Sequence, residues 1–292
     1  MKPQAAILES VPDHARHLFF DLKLEADPGA ALRALATACD GQSVVMGVGL
    51  SVAQALGAEA PGLRGFPELP GAKPAIPATQ HALWLWLRGA EPGDLLLLGH
   101  ALQALAAPAF VQVQAIDSYR YRDSRDLTGY EDGTENPKNA AAVEAAIAQG
   151  QGAGIDGSSF AAVQQWLHDF PAFEAMPRGE QDNCFGRERD SNDEIDDAPE
   201  SAHVKRTAQE DFEPEAFVLR RSMPWTTGAD AGLVFLAFGK SFDAYEALLR
   251  RMTGHDDGIS DALFGFTRPL TGGYYWCPPL AGAGIDLQAL GL

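Results

Sequence analysis

The chain is short of the features that mark secreted, membrane or nucleic-acid-binding proteins. Its 292 residues include only 3 cysteines. Cys39, Cys184 and Cys277 are far apart and form no CxxC pair, which leaves no support for a disulfide framework or a zinc site. Buried free thiols are expected instead. Long apolar runs are also missing: the nearest, Ala82 to Leu87 and Leu95 to Leu98, fall far below spanning length. Basic residues are scarce, 22 Lys and Arg against 40 Asp and Glu, giving a formal charge of −18. Such a surface repels phosphate backbones and anionic lipid, so neither nucleic acid nor membrane is expected as a partner. The opening MKPQAAILESVPDHARH has no basic-then-apolar leader, and a cytoplasmic location is the expectation.

What is present is a globular composition, with 46% hydrophobic and 21% charged residues. The first half alternates strand-like and helix-like segments. His17 to Leu24, Ser43 to Leu50, His81 to Arg88 and Ala109 to Tyr121 read as strands. Helices are predicted from Gly29 to about Ala38, over Ser51 to Leu56 and over Gly93 to Ala106, and Ala60 to Ala78 is a long Pro- and Gly-rich connection. Setting aside the short Ser51 helix, this strand, helix, strand, strand, helix, strand order predicts an α+β fold of the ferredoxin-like type, with an antiparallel sheet. A second such half is expected, with strands at Ser159 to His168, Ala216 to Arg221, Gly232 to Phe238 and Gly273 to Cys277. Its helices are placed over Phe170 to Arg178 and Ser241 to Met252, and Lys138 to Gly157 is the linker candidate. The domains expected are therefore residues 1–140 and 141–292. Glu188 to Glu200 reads as a solvated acidic excursion.

The stretch Asp126 to Pro137, DLTGYEDGTENP, packs acidic, Gly, Asn and Pro residues into a tight loop. One reading is a surface turn. The other gives Asp132 a place beside a ligand, since the adjacent Gly133 permits close backbone approach and a carboxylate there can serve as acid or base. The 7 histidines include no HExxH pair. His203 differs in context, standing in SAHVKRT ahead of Glu215 and the Arg220 segment FVLRRSMPW.

Together these blocks resemble the dye-decolourising peroxidases. A GxxDG motif stands at Gly129 to Gly133 and runs on as TENP to Pro137; FGR follows at Phe185 to Arg187, then NDEID at Asn192 to Asp196. AHV surrounds His203, RRSMPW spans Arg220 to Trp225, and FTRPLTGGYYW spans Phe266 to Trp276. The resemblance implies two ferredoxin-like halves with one haem b per chain, held mainly by the second half. It implies His203 as the iron ligand, Glu215 as acceptor of a hydrogen bond from its other nitrogen, and Arg187 at a haem propionate. Asp132, Arg220 and Ser222 are implied on the distal face, with Gly133 and Thr134 beside the cofactor, and strand alternation should turn Arg221 away from Arg220. The implied activity is reduction of hydrogen peroxide to water, with one-electron oxidation of organic donors such as dyes and phenolics through a ferryl state. A homo-oligomer, dimeric or larger, is also implied. A haem carrier or iron-releasing protein, and a haem-free ligand-binding module, are the rival readings. A carboxylate base has a reference pKa of about 3.9 and stays competent where a distal histidine would be protonated, so an acidic optimum is expected.

Overall fold

The computed structural model describes every residue except 73 and 283. The first half of the chain runs β1 (His14–Leu22), α1 (Gly29–Ala38), β2 (Val44–Val48), α2 (Leu50–Leu56), β3 (Leu83–Gly89), α3 (Pro92–Ala106) and β4 (Phe110–Tyr119). Local chemistry sets these limits. Gly57 takes a left-handed φ of 63° and closes α2 by donating to the carbonyls of Ala53 and Gln54, while Pro92 opens α3 where its missing N–H has no helical partner.

The second half adds α4 (Ala140–Ala146), β5 (Ser159–His168), α5 (Phe170–Ala175), α6 (Arg178–Phe185), α7 (His203–Arg206), β6 (Leu219–Arg220), β7 (Met223–Thr227), β8 (Asp230–Gly239), α8 (Asp243–Met252), β9 (Thr267–Pro269) and β10 (Gly273–Cys277). Several limits differ from the sequence expectation. Pro177 holds Met176 extended and divides the helix expected over residues 170–178 into α5 and α6. The strand expected at Ala216 to Arg221 shrinks to Leu219–Arg220, and β7 follows it, masked in the sequence by Pro224. Lys138 to Gly157, expected as a linker, contains α4, whose Ala142 and Ala146 pack into the core. His203 opens a short helix.

All strand pairings are antiparallel, in the order β6-β8-β7-β4-β1-β3-β2-β10-β5-β9, and a further β8–β5 pairing closes the sheet into a barrel. Within each half the ladders are long, as between β1 and β3 or β5 and β8. Between halves they are minimal. β4 meets β7 only at Ser118 and Trp225, and β2 meets β10 only at Val48 and Trp276.

Strand alternation sends one set of side chains into the barrel and the other outward under the helices. The inner set includes Phe19, Trp84, Trp86, Phe238 and Tyr275; the outer includes Phe20, Leu85, Phe160 and Trp276, with Leu32 and Leu35 of α1 and Leu249 of α8 over it. His17 is a buried histidine inside the barrel. His17 stacks on Trp84 and Trp86, accepts a hydrogen bond from Trp84 Nε1 at 3.3 Å and lies 3.4 Å from Ser118 Oγ. Burial pushes its pKa down to about 3. Among the described residues no helix is long and apolar enough to cross a membrane. All 3 cysteines are free, with Cys39 and Cys277 buried and Cys184 only half-buried.

Candidate functional site

A cavity of about 340 Å³ lies between the outward face of β5 and β8, the helices α7 and α8, and the loop of residues 126–135. Its walls are largely apolar, from Trp166, Phe185, Leu233, Phe235, Leu248 and Phe266. Polar side chains also line it, and His203, Asp132, Arg220, Arg187 and Thr134 are all among them.

His203 opens α7, which Arg206 ties to α8 by donating to the Arg251 carbonyl at 2.7 Å and pairing with Asp257. Gly186 makes room for this helix. At a left-handed φ of 79°, a Cβ there would fall 2.2 Å from Val204 Cγ1. The carboxylate that meets His203 is Asp261, whose Oδ2 lies 2.7 Å from Nδ1 and whose side chain is fully buried. Its other oxygen caps the turn at residues 262–265 by accepting from Leu263 N at 2.9 Å. Glu215, expected in this role, is exposed. The chain turns back so that Ala216 N bonds to Gln209 O and Ala216 is buried, which leaves the preceding side chain facing solvent. Asp261 lies 58 positions from His203, and nothing local in the sequence connects the two.

Asp132 and Arg220 approach to 3.5 Å, both about one-fifth exposed at the side chain. Their meeting depends on Asn136, which accepts from Arg220 N at 2.7 Å and donates to Arg220 O at 3.1 Å, stitching the loop to β6. Gly133, at φ 83°, makes the turn between Asp132 and Asn136, and Asn136 N donates to its carbonyl. Thr134 lines the cavity and accepts from Asn192 Nδ2 at 3.0 Å. Ser222 does not line it. It borders a narrow cleft that Asp132 shares, and its Oγ lies 3.4 Å from Leu236 N. Arg221 turns away as expected, donating to Leu8 O, and burial followed by the nearby Arg88 charge lowers its pKa to about 10. Arg187 reaches the rim, where its Nη2 holds Glu135 at 2.7 Å and Glu194 at 3.1 Å.

Two further pairs in the wall are absent from the sequence reading. Asp126, at the foot of the loop, takes His168 Nε2 at 3.0 Å and both the N–H and hydroxyl of Thr128. Burial pushes this carboxyl up, but the His168 and Thr128 bonds outweigh it and leave the pKa below the usual range. Tyr130 donates its hydroxyl to Asp182 and stacks on Phe185 at 3.7 Å.

Chemically, Asp261 fixes the imidazole through Nδ1 and leaves Nε2 as the nitrogen for a metal, an orientation typical of ligating histidines. Flat apolar walls, a carboxylate-backed imidazole and a rim guanidinium form a donor set suited to a planar metal macrocycle bearing carboxylates.

The family described as "Dyp-type peroxidase, C-terminal" matches residues 123–282. A "Dye-decolorizing peroxidase" of Mycolicibacterium paratuberculosis is 31% identical over 222 residues, covering 74% of this chain and 63% of the relative. The chain's match thus spans less than two thirds of that relative's length. Among solved structures, a putative dyp-type peroxidase protein from Shewanella oneidensis superposes with a TM-score of 0.87 at 25% identity, covering 97% of this chain and 96% of that one. A variant of DypB from Rhodococcus jostii RHA1 in complex with heme gives a TM-score of 0.84 at 26% identity, covering 94% of this chain and 95% of that one. The residues that line the cavity, from Asp126 to Thr267, all fall within the matched span, and the chain belongs to the Dyp-type peroxidase family.

Proposed function

We propose that the chain is a haem peroxidase that reduces hydrogen peroxide to water and oxidises organic donors such as dyes and phenolics one electron at a time. The observation that carries this reading is a single cavity with a carboxylate-backed histidine and, from other elements, an Asp132–Arg220 pair at 3.5 Å. His203 Nε2 would hold the iron. Arg187 would exchange one of its rim carboxylates for a propionate, since a guanidinium suits either. When bound, haem supplies an iron centre able to accept the oxidising equivalents of peroxide.

The rest is the work of side chains. Asp261 accepts a hydrogen bond from Nδ1–H and would keep the imidazole electron-rich, which favours O–O cleavage. Asp132 takes a proton from the inner peroxide oxygen and returns it to the outer one, which leaves as water. Arg220 offsets the charge gathering on the departing oxygen. Asn136 positions the pair by fixing the backbone of Arg220. The strand orders β4-β1-β3-β2 and β7-β8-β5-β10 support two ferredoxin-like halves, residues 1–140 and 141–292, with the haem mainly in the second.

The test is spectroscopic. Protein loaded with haemin is mixed with one equivalent of hydrogen peroxide, and the Soret band is followed by stopped flow, with an organic donor added afterwards. A fast shift reversed by the donor is expected, slowed in Asp132→Asn and Arg220→Leu. A band that does not move, or one that moves at the parent rate in both variants, refutes the reading; the former result favours a haem carrier.

A further inference from the structure

We propose that Tyr130 is a redox-active residue of this enzyme, giving up one electron toward the cavity while its hydroxyl proton passes to Asp182. The idea rests on the peroxidase reading above, whose peroxide-oxidised haem is the oxidant. Tyr130 lines the cavity wall, only 3% exposed, with its ring stacked on Phe185 and its hydroxyl donating to Asp182 Oδ1.

Three features of its surroundings favour a coupled step. Burial first, and then the Asp182 carboxylate, raise the Tyr130 pKa, which keeps the resting residue a phenol. Arg189 lies over the ring, 5.6 Å from its centroid, and a cation there opposes positive charge on the ring. Electron loss therefore requires proton loss. Asp182 Oδ1 is an acceptor already in hydrogen-bond contact, and it is held in place by Arg178 Nε at 3.1 Å and Arg189 N at 3.2 Å.

The step balances. The phenol O–H bond breaks, a carboxyl O–H bond forms on Asp182, and one electron goes to the oxidant, leaving a neutral phenoxyl. A donor then returns the electron and the proton moves back. Asp182 lies toward the surface through Arg178, whose side chain is 42% exposed, so the phenoxyl stands between the cavity and the outer face of α6.

The other cavity-wall phenol offers a contrast. Tyr245 also lines the cavity, but its hydroxyl donates to Gln164 Oε1 at 2.6 Å. An amide oxygen cannot hold the released proton at ordinary pH. Trp166 shares that same Gln164 oxygen at 3.2 Å and likewise has no basic partner.

The experiment uses haem-loaded protein mixed with one equivalent of hydrogen peroxide without donor, freeze-quenched for electron paramagnetic resonance and, in parallel, digested for peptide mass mapping. A tyrosyl signal is expected in the parent and in Tyr245→Phe, and its loss in Tyr130→Phe. Oxidation products should map to the Tyr130 peptide in the parent. Asp182→Asn keeps the phenol but removes the proton acceptor, and should slow growth of the signal by at least tenfold in a well-folded protein. A signal unchanged in Tyr130→Phe, a tryptophanyl signal in the parent, or an Asp182→Asn signal growing at the parent rate overturns the proposal while leaving the peroxidase reading intact. A Soret band indifferent to peroxide overturns both.

Discussion

His17 should make this protein acid-labile in a way that one substitution relieves. The imidazole is 1% exposed inside the barrel, and burial holds its pKa at about 3. A histidine in an unfolded chain has a pKa of about 6.5. Above that pH both states carry the neutral ring and the shift has no effect on stability. Below it the unfolded chain binds a proton that the folded chain refuses, so stability falls with pH until the folded value of about 3 is reached. Each pH unit is worth about 1.36 kcal/mol, so this residue alone should remove about 2 kcal/mol by pH 5 and about 5 kcal/mol at the limit. In His17→Gln, the amide oxygen would still accept from Trp84 Nε1 without titrating. Urea unfolding of the parent and of this variant at pH 7.5, 6, 5 and 4 provides the assay. The variant starts lower at pH 7.5, having lost its stacking on Trp84 and Trp86, but its stability should decline less steeply. Parallel curves for the two proteins would refute the argument. The matter bears on the proposed function, because an aspartate base would favour low pH while the barrel interior resists it.

Three further outcomes follow from the site. Asp261→Asn, which removes the charge 2.7 Å from His203 Nδ1, should raise the iron reduction potential and slow peroxide cleavage about 10- to 100-fold, whereas Glu215→Gln should leave both unchanged; potentiometry and stopped flow check this. Gly186→Ala places a Cβ against Val204 at a left-handed backbone angle, and should lower stability by about 1–3 kcal/mol in denaturant and weaken haem retention measured by transfer to apomyoglobin. Asp126 has a depressed folded pKa, so its stabilising contribution is complete above the unfolded carboxylate value of about 3.9 and is lost as pH falls through the folded one. Asp126→Asn should therefore destabilise the protein at pH 7 and converge with the parent in strong acid, as thermal unfolding would register.

Much of the architecture was legible because hydrophobic periodicity is a local property. Ser159–His168 and Gly273–Cys277 come out with their observed limits, and α1, α3 and α8 lie within a residue or two of expectation. Errors arose where proline carries two meanings: Pro177 split a helix, and Pro224 sits within a real strand. At the site, motif blocks located Asp132, Arg220, Arg187 and His203, which the fold brings to one cavity. What the blocks could not supply is pairing across the fold. Glu215 was close to His203 in the chain, but Asp261 faces it because the turn after α8 returns there, with Asp261 N bonding to Met252 O. Asn136 lay within the TENP block in plain view, yet its bonds to the Arg220 backbone span 84 positions and have no sequence signature.

The barrel's two narrow joins, Ser118 with Trp225 and Val48 with Trp276, have a mechanical consequence. A closed barrel ordinarily resists shear because every neighbour is laced to the next, but here the lacing is interrupted along both meridians. Amide deuterium uptake should be quickest along those lines, and a pulling force applied across them should part the molecule there before either ladder inside a half gives way.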